Sequence, residues 1–290
     1  MLFSVIIPTR NSAATLHNLL EDLQSQTYSP EQIIVADGQS TDGTIAIARK
    51  YNAEIVDNPA RHAAGGRNRA AACAYGEWLA FTDSDCRLPN DWLERTRLEI
   101  LKNRDLVAIA GPMLALPPRN EIEKIAGDAF LNGVMKFPAE QCWVKERQLH
   151  GAFITANVFY RRDIFMKVNG FDEWFENNAE DIDLFWRVLA QYPGKLLYNA
   201  YSPVYHCFPT TLRGLFRKWY GFGIASCRLQ KRYMGPLHFD RSHYRRLTNS
   251  LWTWMRFPDQ RSAAKVRVIQ CVGHLGGKYC GSLKLRIVNI

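Results

Sequence analysis

The chain has 290 residues, of which 47% are hydrophobic, so it can form one large domain or two closely packed halves. A net charge of +9 and a pI near 9.2 favour an acidic partner: nucleic acid, an anionic membrane surface or a phosphate-bearing substrate. The seven cysteines are scattered and form no C-x-x-C pair, which argues against a disulfide framework or a zinc site and favours reduced thiols.

The sequence shows neither a secretory signal nor a spanning helix. Pro8 and Arg10 interrupt the only apolar run near the amino terminus. No stretch approaches the roughly 18 uncharged apolar residues that a spanning helix needs. We therefore expect a soluble or peripheral protein in the cytoplasm, with the inner face of the cell membrane as one place where it could act.

The first third of the chain alternates strand-like and helical segments. The predicted strands are Phe3–Ile7, Gln32–Ala36, Glu54–Val56 and Trp78–Thr82. The predicted helices are 12–26, Thr41–Lys50 and Gly65–Ala74. Strands that are apolar on both faces and separated by helices indicate an α/β fold, with a mostly parallel, doubly wound sheet and helices on both faces.

The composition changes further along the chain. Residues 112–150 are richer in Pro, Gly and mixed charge, which indicates a transition, and a strand at Phe153–Tyr160 follows. From about residue 210 the chain is basic and aromatic. We therefore divide it into segments 1–112, 113–209 and 210–290, of which the last should be a helical tail.

Three polar stretches follow predicted strands, where parallel sheets bind ligands. They are Pro8–Asn11, Asp37–Gly43 and Asp83–Asp85. In an extended backbone Asp83 and Asp85 point the same way, so their charges repel unless a cation bridges them. Mg²⁺ or Mn²⁺ suits such oxygen ligands and would hold a diphosphate. Alternatively, Asp83 begins a turn and Asp85 caps the helix entered at Pro89.

A second acidic cluster opens a predicted helix at residues 178–187. Its apolar stripe, which should pack on the core, consists of Ile182, Phe185, Trp186 and Leu189. Asn178 is placed to cap the helix, and the helix dipole favours acids in the first turn. Asp183 can pair with Arg187 four residues on, and we therefore predict that Asp183 stabilises the helix and has no catalytic role.

Several of these segments together resemble a known family. SVIIPTRN, VADGQSTDGT and GGRNRAAACAYGEWLAFTDSDC resemble the nucleotide-binding half of glycosyltransferase family 2, which has the GT-A fold. ITANVFYRRDIFMKVNGFDEWF and NAEDIDLFWRV resemble its acceptor half. The resemblance implies a nucleotide-sugar-binding half at 1–112, an acceptor-binding and catalytic-base half at 113–209 of the same domain, and a basic aromatic extension at 210–290.

The resemblance also implies an activity and its substrates. The expected enzyme is an inverting, metal-dependent transferase that moves a sugar from a nucleotide diphosphate donor, UDP- or GDP-linked, to a hydroxyl acceptor. The acceptor would be a glycan or a lipid-linked glycan. The Q-x-x-R-W motif of processive synthases is missing. We therefore expect the addition of one or a few sugars rather than polymerisation through a membrane.

The resemblance assigns the nucleotide-binding side chains. They are Pro8, Thr9, Asn11, Asp37, Arg67, Asp83 and Ser84. Asp83 and Asp85 are its D-x-D, which meets the metal ion and the sugar diphosphate. Asp37 would accept from the imide N–H of a uracil-type base, and Arg67 would approach base or phosphate. Many members have two acids where this chain has Ala36–Asp37. An Asx-turn with Gly38 remains open for Asp37, and an ordinary surface role for Arg67.

The catalytic residues come from the second acidic cluster. Inverting transfer needs a carboxylate that removes the proton of the acceptor hydroxyl. Asp181 matches the second member of the family's acidic pair, and Glu180 is the reserve candidate. Many relatives have a histidine at the position of His206 as a further metal ligand, and imidazole suits Mn²⁺. A structural role for His206 is the alternative.

The tail begins with an amphipathic stretch at residues 211–222. Its apolar face contains Leu212, Leu215, Phe216, Trp219 and Tyr220. Such a helix can rest on an anionic membrane or pack against the catalytic domain. Gly214, Gly221 and Gly223 weaken the prediction of a long helix, and we favour packing.

The sequence argues against three other functions. A nucleotidyltransferase that activates a sugar phosphate usually has a glycine-rich loop after the first strand, and Pro8–Asn11 contains no glycine. A basic membrane- or nucleic-acid-binding module would explain the charge, but no recognised nucleic-acid motif is present. A dinucleotide dehydrogenase is disfavoured because no G-x-G-x-x-G follows the first strand.

Overall fold

The computed structural model describes residues 1–133, 135, 137–147, 153–176, 178–234 and 242–285. The strands are β1 Phe3–Thr9, β2 Gln32–Asp37, β3 Glu54–Asp57, β4 Trp78–Phe81, β5 Cys86–Arg87, β6 Ala108–Ala110, β7 Met113–Ala115, β8 Cys142–Val144, β9 Val158–Arg161, β10 Leu196–Tyr198 and β11 Val204–His206. The helices are α1 Ala13–Gln24, α2 Thr44–Lys50, α3 Ala63–Cys73, α4 Trp92–Lys102, α5 Glu121–Gly133, α6 Arg162–Lys167, α7 Glu180–Gln191, α8 Leu212–Leu229, α9 Ser242–Arg256 and α10 Arg261–Leu285.

The main sheet has eight strands in the order β3-β2-β1-β4-β9-β6-β10-β8. Strands β1, β2, β3 and β4 run parallel, as do β6 and β10, whereas β9 and β8 pair antiparallel with their neighbours. Val5, Ile6 and Ile7 in β1 are fully buried, because helices cover both faces of the sheet. The predicted α/β fold with a mostly parallel sheet is confirmed.

One predicted strand is largely wrong. The apolar run Phe153–Tyr160 is buried, but the strand begins only at Val158. Before it the chain turns, and the N–H of Asn157 donates to the carbonyl of Ile154 at 3.1 Å. The Asn157 side chain donates to the carbonyls of Pro112 and Ser202 and accepts from the Trp92 indole at 2.9 Å. A buried side-chain amide that serves three other segments holds this turn out of the sheet.

A small second sheet completes the framework of the site. It has three strands in the order β5-β11-β7, and β11 pairs antiparallel with β5. In that register His206 lies opposite Cys86, directly after Asp85. This pairing therefore brings the end of β11 to the polar turn that follows β4.

The chain forms two compact units. The first contains residues 1–116 and 134–206, with both sheets. The second contains residues 117–133 and 207–290, with α5, α8, α9 and α10. Within the second unit Glu123 of α5 accepts from the Phe208 N–H and pairs with Arg119 at 2.9 Å. Among the described residues, no helix combines the length and apolar character required to cross a bilayer.

Close glycine contacts hold α8 against α10. Gly273, Gly277 and Gly281 recur every fourth residue of α10, and Gly223 of α8 lies against His274 and Gly277. Small residues at this spacing let two helix backbones approach closely. Helix α8 runs unbroken for 18 residues. The expectation that its glycines would interrupt the helix is wrong, because Gly223 packs against α10.

Two adjacent glycines of α10 provide a matched test of this packing. A Cβ at Gly277 would overlap the carbonyl oxygen of Tyr220, whereas one at Gly276 would lie 3.7 Å from the Tyr220 ring. Both Ala substitutions raise helix propensity similarly. We expect Gly276→Ala to be neutral or stabilising. Gly277→Ala should lower the free energy of unfolding by about 1–3 kcal/mol through overpacking. Urea denaturation measures both, and equal values would contradict the close contact.

Candidate active site

The loops after β1 and β2 are joined by hydrogen bonds. The Asp37 carboxylate is buried and accepts from the Ser40 N–H at 2.9 Å and the Ser40 hydroxyl at 2.5 Å. Asn11, which has a left-handed φ of 51°, accepts from the Thr41 N–H at 2.8 Å. The Thr9 hydroxyl lies 3.4 Å from Asp37 Oδ1. The Asx-turn with Gly38 considered for Asp37 is not formed, because the Gly38 N–H donates to the Thr9 carbonyl at 2.7 Å and Asp37 instead accepts from Ser40, three residues on.

The polar turn after β4 has Asp83 at its start. The Cys86 N–H donates to the Asp83 carbonyl at 3.0 Å, so the backbone makes the expected turn and leaves the Asp83 side chain available. The Ser84 hydroxyl donates to Ser12 Oγ at 2.9 Å, which ties this turn to the loop after β1. Asp85 does not cap the next helix, which begins at Trp92 with Asp91 in the capping position.

His206 brings an imidazole to this pair of carboxylates. Its Nε2 lies 3.3 Å from Asp85 Oδ1 and 4.0 Å from Asp83 Oδ2. Asp83 and Asp85 therefore converge on one nitrogen, although they do so across a turn and not along the extended backbone from which the convergence was predicted. The three side chains are partly exposed, so a ligand can reach them.

The donor atoms here fit a divalent cation. Asp85, Cys86 and His206 each place one ligand atom within 4.8 Å of the others. Burial, followed by the charges of Asp83 and Asp85, raises the pKa of the Cys86 thiol well above its usual value. The thiol therefore stays protonated and is a poor ligand. Two carboxylates and one imidazole remain, a set that suits Mn²⁺ or Mg²⁺ rather than a soft metal.

Arg67 connects the two acidic clusters. Its guanidinium is 3% exposed and donates to Asp83 Oδ1 and Glu180 Oε1, both at 2.7 Å. It also lies 5.6 Å from the centre of the Phe171 ring. The residue before it, Gly66, lets α3 approach the Asn58 side chain, because a Cβ there would lie 2.8 Å from Asn58 Nδ2. Arg67 is thus neither a surface arginine nor, in this arrangement, directed at a nucleotide.

The next residue, Asn68, fixes the same connection. Its side chain donates to the carbonyl of Phe171 at 2.8 Å and accepts from the N–H of Phe171 at 2.9 Å. Both bonds hold α3 to the segment that leads into α7. Sequence reasoning missed this role of Asn68, and nothing in its local pattern indicates it, because both partners are backbone atoms far along the chain.

The acidic pair Glu180–Asp181 begins α7. Ala179, immediately before it, has a left-handed φ of 68° and no capping side chain, so the expected cap by Asn178 is wrong. Burial, with the charge of Asp181, raises the pKa of Glu180 to about 7 against the opposing effect of Arg67. Among the described residues Glu180 Oε2 has no hydrogen-bond partner. The expected pair of Asp183 with Arg187 is present at 2.8 Å.

Asp181 differs from Glu180 in its surroundings. One of its oxygens accepts from the N–H of Ile182 at 2.8 Å. Burial raises the pKa of Asp181 above its usual value, and the charge of Asp83 adds to the effect. The second acidic cluster lies beside the first, because Arg67 bonds to Asp83 of one and Glu180 of the other at 2.7 Å each. Asp181 is therefore a carboxylate of increased basicity whose other oxygen is not engaged by Arg67.

Comparison with known proteins identifies the chain. The sequence model of the family Glycosyl transferase family 2 matches residues 4–168. The O-antigen chain rhamnosyltransferase WbaN of Salmonella anatum is 30% identical over 230 residues, which cover 77% of this chain and 71% of that protein.

Solved structures show the same fold. S. aureus TarS 1–349 in complex with UDP-GlcNAc has a TM-score of 0.57 at 16% identity, with 100% of this chain and 93% of that chain covered. Glucosyl-3-phosphoglycerate synthase from Mycobacterium tuberculosis, with Mn²⁺, UDP and glucosyl-3-phosphoglycerate, has a TM-score of 0.58 at 15% identity. The match covers 80% of this chain and 79% of the synthase chain. The chain has the GT-A fold and belongs to glycosyl transferase family 2, as an enzyme that transfers sugar from a nucleotide-linked donor.

Proposed function

We propose that this glycosyltransferase is inverting and metal-dependent, and that it transfers a hexose-like sugar from a nucleotide diphosphate donor to a hydroxyl of a growing glycan. The observation that carries the proposal is the meeting of two acidic clusters through Arg67, which holds Asp83 and Glu180 at 2.7 Å each. Four carboxylates gather around one guanidinium and one imidazole. A divalent cation would offset part of that negative charge and could then hold the anionic diphosphate of the donor.

Asp83, Asp85 and His206 are the residues that would hold the ion. Their oxygen and nitrogen donors favour Mn²⁺ or Mg²⁺, and one structural relative contains Mn²⁺ with UDP. When bound, such an ion supplies Lewis-acid stabilisation of the negative charge on the departing diphosphate. Asp83 has one oxygen on Arg67, so its second oxygen, which faces His206, is the one available to the ion.

The nucleotide would lie over the ends of β1 and β2. Asp37 is held by Ser40 and retains lone pairs for the N–H of a base, as with the uracil of a UDP-linked or the guanine of a GDP-linked donor. Pro8, Thr9 and Asn11 border the same edge of the sheet, and Ser84 joins it to the metal-binding turn through Ser12. One structural relative was solved with UDP-GlcNAc.

Asp181 is the proposed base. The acceptor oxygen forms a bond to the anomeric carbon while the bond to the diphosphate oxygen breaks and its electron pair leaves with the nucleoside diphosphate. Asp181 takes the hydroxyl proton, and a single displacement inverts the anomeric configuration. A raised pKa suits this task because it makes the carboxylate a stronger proton acceptor. Glu180, held by Arg67, instead keeps the start of α7 in place.

The acceptor is proposed to be a glycan, free or linked to lipid, in polysaccharide biosynthesis at the inner face of the cell membrane. WbaN is an O-antigen chain rhamnosyltransferase, and its match to this protein extends over 77% of the chain. The family membership does not favour the nucleotidyltransferase or the simple binding module considered from the sequence.

Nucleotide and metal binding can be tested together by thermal shift with a panel of nucleoside diphosphates and their sugars. At a hundredfold excess over Kd, a ligand should raise Tm by about 5–10 °C. We expect the rise with wild type to require Mn²⁺ or Mg²⁺, and to be lost in Asp85→Asn and His206→Ala. Asp105→Asn, on an exposed loop, is the control. A shift that is independent of both metal and these residues would contradict the metal site.

Sugar transfer by Asp181→Asn should fall by about 10²–10⁴ while donor binding persists. Glu180→Gln should lose much less, because its amide oxygen can still accept from Arg67. Since Asp181 must be deprotonated, wild-type turnover should fall on acidification with an apparent pKa above the ordinary value of about 3.9. That acid limb should vanish from the residual rate of Asp181→Asn. Undiminished transfer by Asp181→Asn would remove it from the mechanism.

Arg67→Met should lower the free energy of unfolding by about 3–5 kcal/mol, because two carboxylates lose a buried partner. Arg69→Met, exposed on the same helix, should change it by less than about 0.5 kcal/mol. The deficit of Arg67→Met should shrink as pH falls, since protonation neutralises the abandoned carboxylates. Denaturant unfolding at several pH values measures this, and a constant deficit would argue against the ion pairs.

A further inference from the structure

The net positive charge of the protein comes from the last third of the chain. Residues 207–290 contain 16 Lys and Arg against two Asp and no Glu, whereas residues 1–206 contain 21 Lys and Arg against 26 Asp and Glu. The segment with the sheets and the candidate active site is therefore acidic. A partner attracted by the overall charge should bind the second unit.

Within that unit, α9 has an outward face that combines basic and large apolar side chains. Arg245, Trp252, Met255 and Arg256 are exposed, and their spacing places them on one side of the helix. Trp252 is 51% exposed and Met255 is 69% exposed. On the opposite side Ser250 is buried, whereas Trp254 is 42% exposed. The described side chains of this helix include no acid.

The exposed aromatic side chains form a cluster. The Trp252 and Phe257 ring centres are 5.3 Å apart at 70°, and the Arg256 guanidinium lies 5.4 Å from the Trp252 ring. We call Trp252, Met255, Arg256 and Phe257 the tryptophan patch. An indole flanked by guanidinium and apolar groups matches the headgroup level of a bilayer, where one side is apolar and the other hydrated.

Helix α10 also has an exposed stripe that combines a basic residue with apolar and aromatic ones. Lys265, Val272, Tyr279 and Leu283 are exposed and recur at intervals of seven, seven and four, so they share one face. Gly277 and Gly281 lie toward the opposite side, against α8. The aliphatic members of the stripe cannot stack on bases, which favours lipid over nucleic acid.

By contrast, the aromatic side chains of α8 are engaged within the unit. Phe222 stacks on Phe130 with ring centres 5.8 Å apart, and the Trp219 ring lies 6.2 Å from His274. Lys218 lies 4.8 Å from the Phe130 ring. The membrane face considered for residues 211–222 from sequence is thus largely covered, and the exposed counterpart lies in α9.

We propose that the tryptophan patch and the basic side chains of α9 dock the enzyme on a bilayer that contains anionic lipids. The helix would lie in the plane of the interface, with Trp252, Met255 and Phe257 among the headgroups and Arg245 and Arg256 on lipid phosphates. The docking surface rests on the proposed function, in which the acceptor is at the membrane. Its test uses vesicles alone and needs neither a donor nor sugar transfer.

Co-sedimentation with vesicles tests the docking surface. Wild type should bind vesicles of phosphatidylcholine with phosphatidylglycerol far better than phosphatidylcholine alone. Each basic residue near an anionic surface contributes about fivefold in affinity, so Arg245→Glu/Arg256→Glu should lose more than about twentyfold. Arg49→Glu/Arg104→Glu, which makes the same charge change on exposed sites of the first unit, should lose much less.

A second pair of double variants tests the apolar side chains of the tryptophan patch. Trp252→Ser/Met255→Ser should weaken binding by at least about tenfold. Tyr201→Ser/Met166→Ser, an equally exposed aromatic and methionine in the first unit, should bind as wild type. In wild type, brominated acyl chains should quench indole fluorescence, and the conservative Trp252→Phe should lose part of that quenching, since Trp254 of the same helix is also exposed. The test therefore does not depend on a destabilising variant.

Three outcomes overturn the proposal: equal vesicle binding by both members of a matched pair, unchanged quenching in Trp252→Phe, or duplex RNA binding that the α9 variants alone abolish while vesicle binding persists. Asp181→Asn should bind vesicles as wild type does. Failure of the docking surface therefore leaves the proposed chemistry untouched, and failure of the chemistry leaves the docking surface untouched.

Discussion

A single buried arginine determines how the acidic residues of this enzyme can coexist. The Arg67 guanidinium, bonded to Asp83 and Glu180 at 2.7 Å each, is the cation that the described residues place between the two acidic clusters. A buried charge is costly unless paired, and here each partner needs the other. Yet one positive charge cannot neutralise Asp83, Asp85, Glu180 and Asp181 together. The surplus of negative charge faces a partly exposed edge, and it makes cation binding there electrostatically favourable.

The fold brings this cluster together from four separate segments. Strand β4 ends at the turn that contains Asp83, and β11 carries His206 to it through the register with β5. Helix α3 supplies Arg67, and α7 begins at Glu180. Asn68 holds α3 to the backbone of Phe171 shortly before α7, so the ion pairs depend on hydrogen bonds outside the cluster. Changes in that support would alter the chemistry without touching substrate.

The sequence predicted the strands and helices of the first third within a few residues, because buried parallel strands and amphipathic helices both depend on local apolar spacing. It also indicated that Asp83 and Asp85 would converge, but for the wrong reason, because a turn and not an extended backbone brings them together. The role of Arg67 was beyond such reasoning: its partners lie 16 and 113 residues away, and the choice between solvent, nucleotide and carboxylate depends on long-range packing. The strand expected from Phe153 failed for a similar reason, because Asn157 bonds to three distant segments.

Net charge was misleading as a guide to the site. A value of +9 suggests that a basic surface binds the phosphates of the donor, but the described neighbourhood of the proposed diphosphate is dominated by carboxylates. A phosphate can approach such a group of carboxylates only with a cation, so the acidity of the first unit supports the proposed metal dependence. The basic residues then require a separate explanation. Their concentration in residues 207–290, beside exposed Trp252 and Met255, is explained by the proposed docking on an anionic membrane rather than by donor binding.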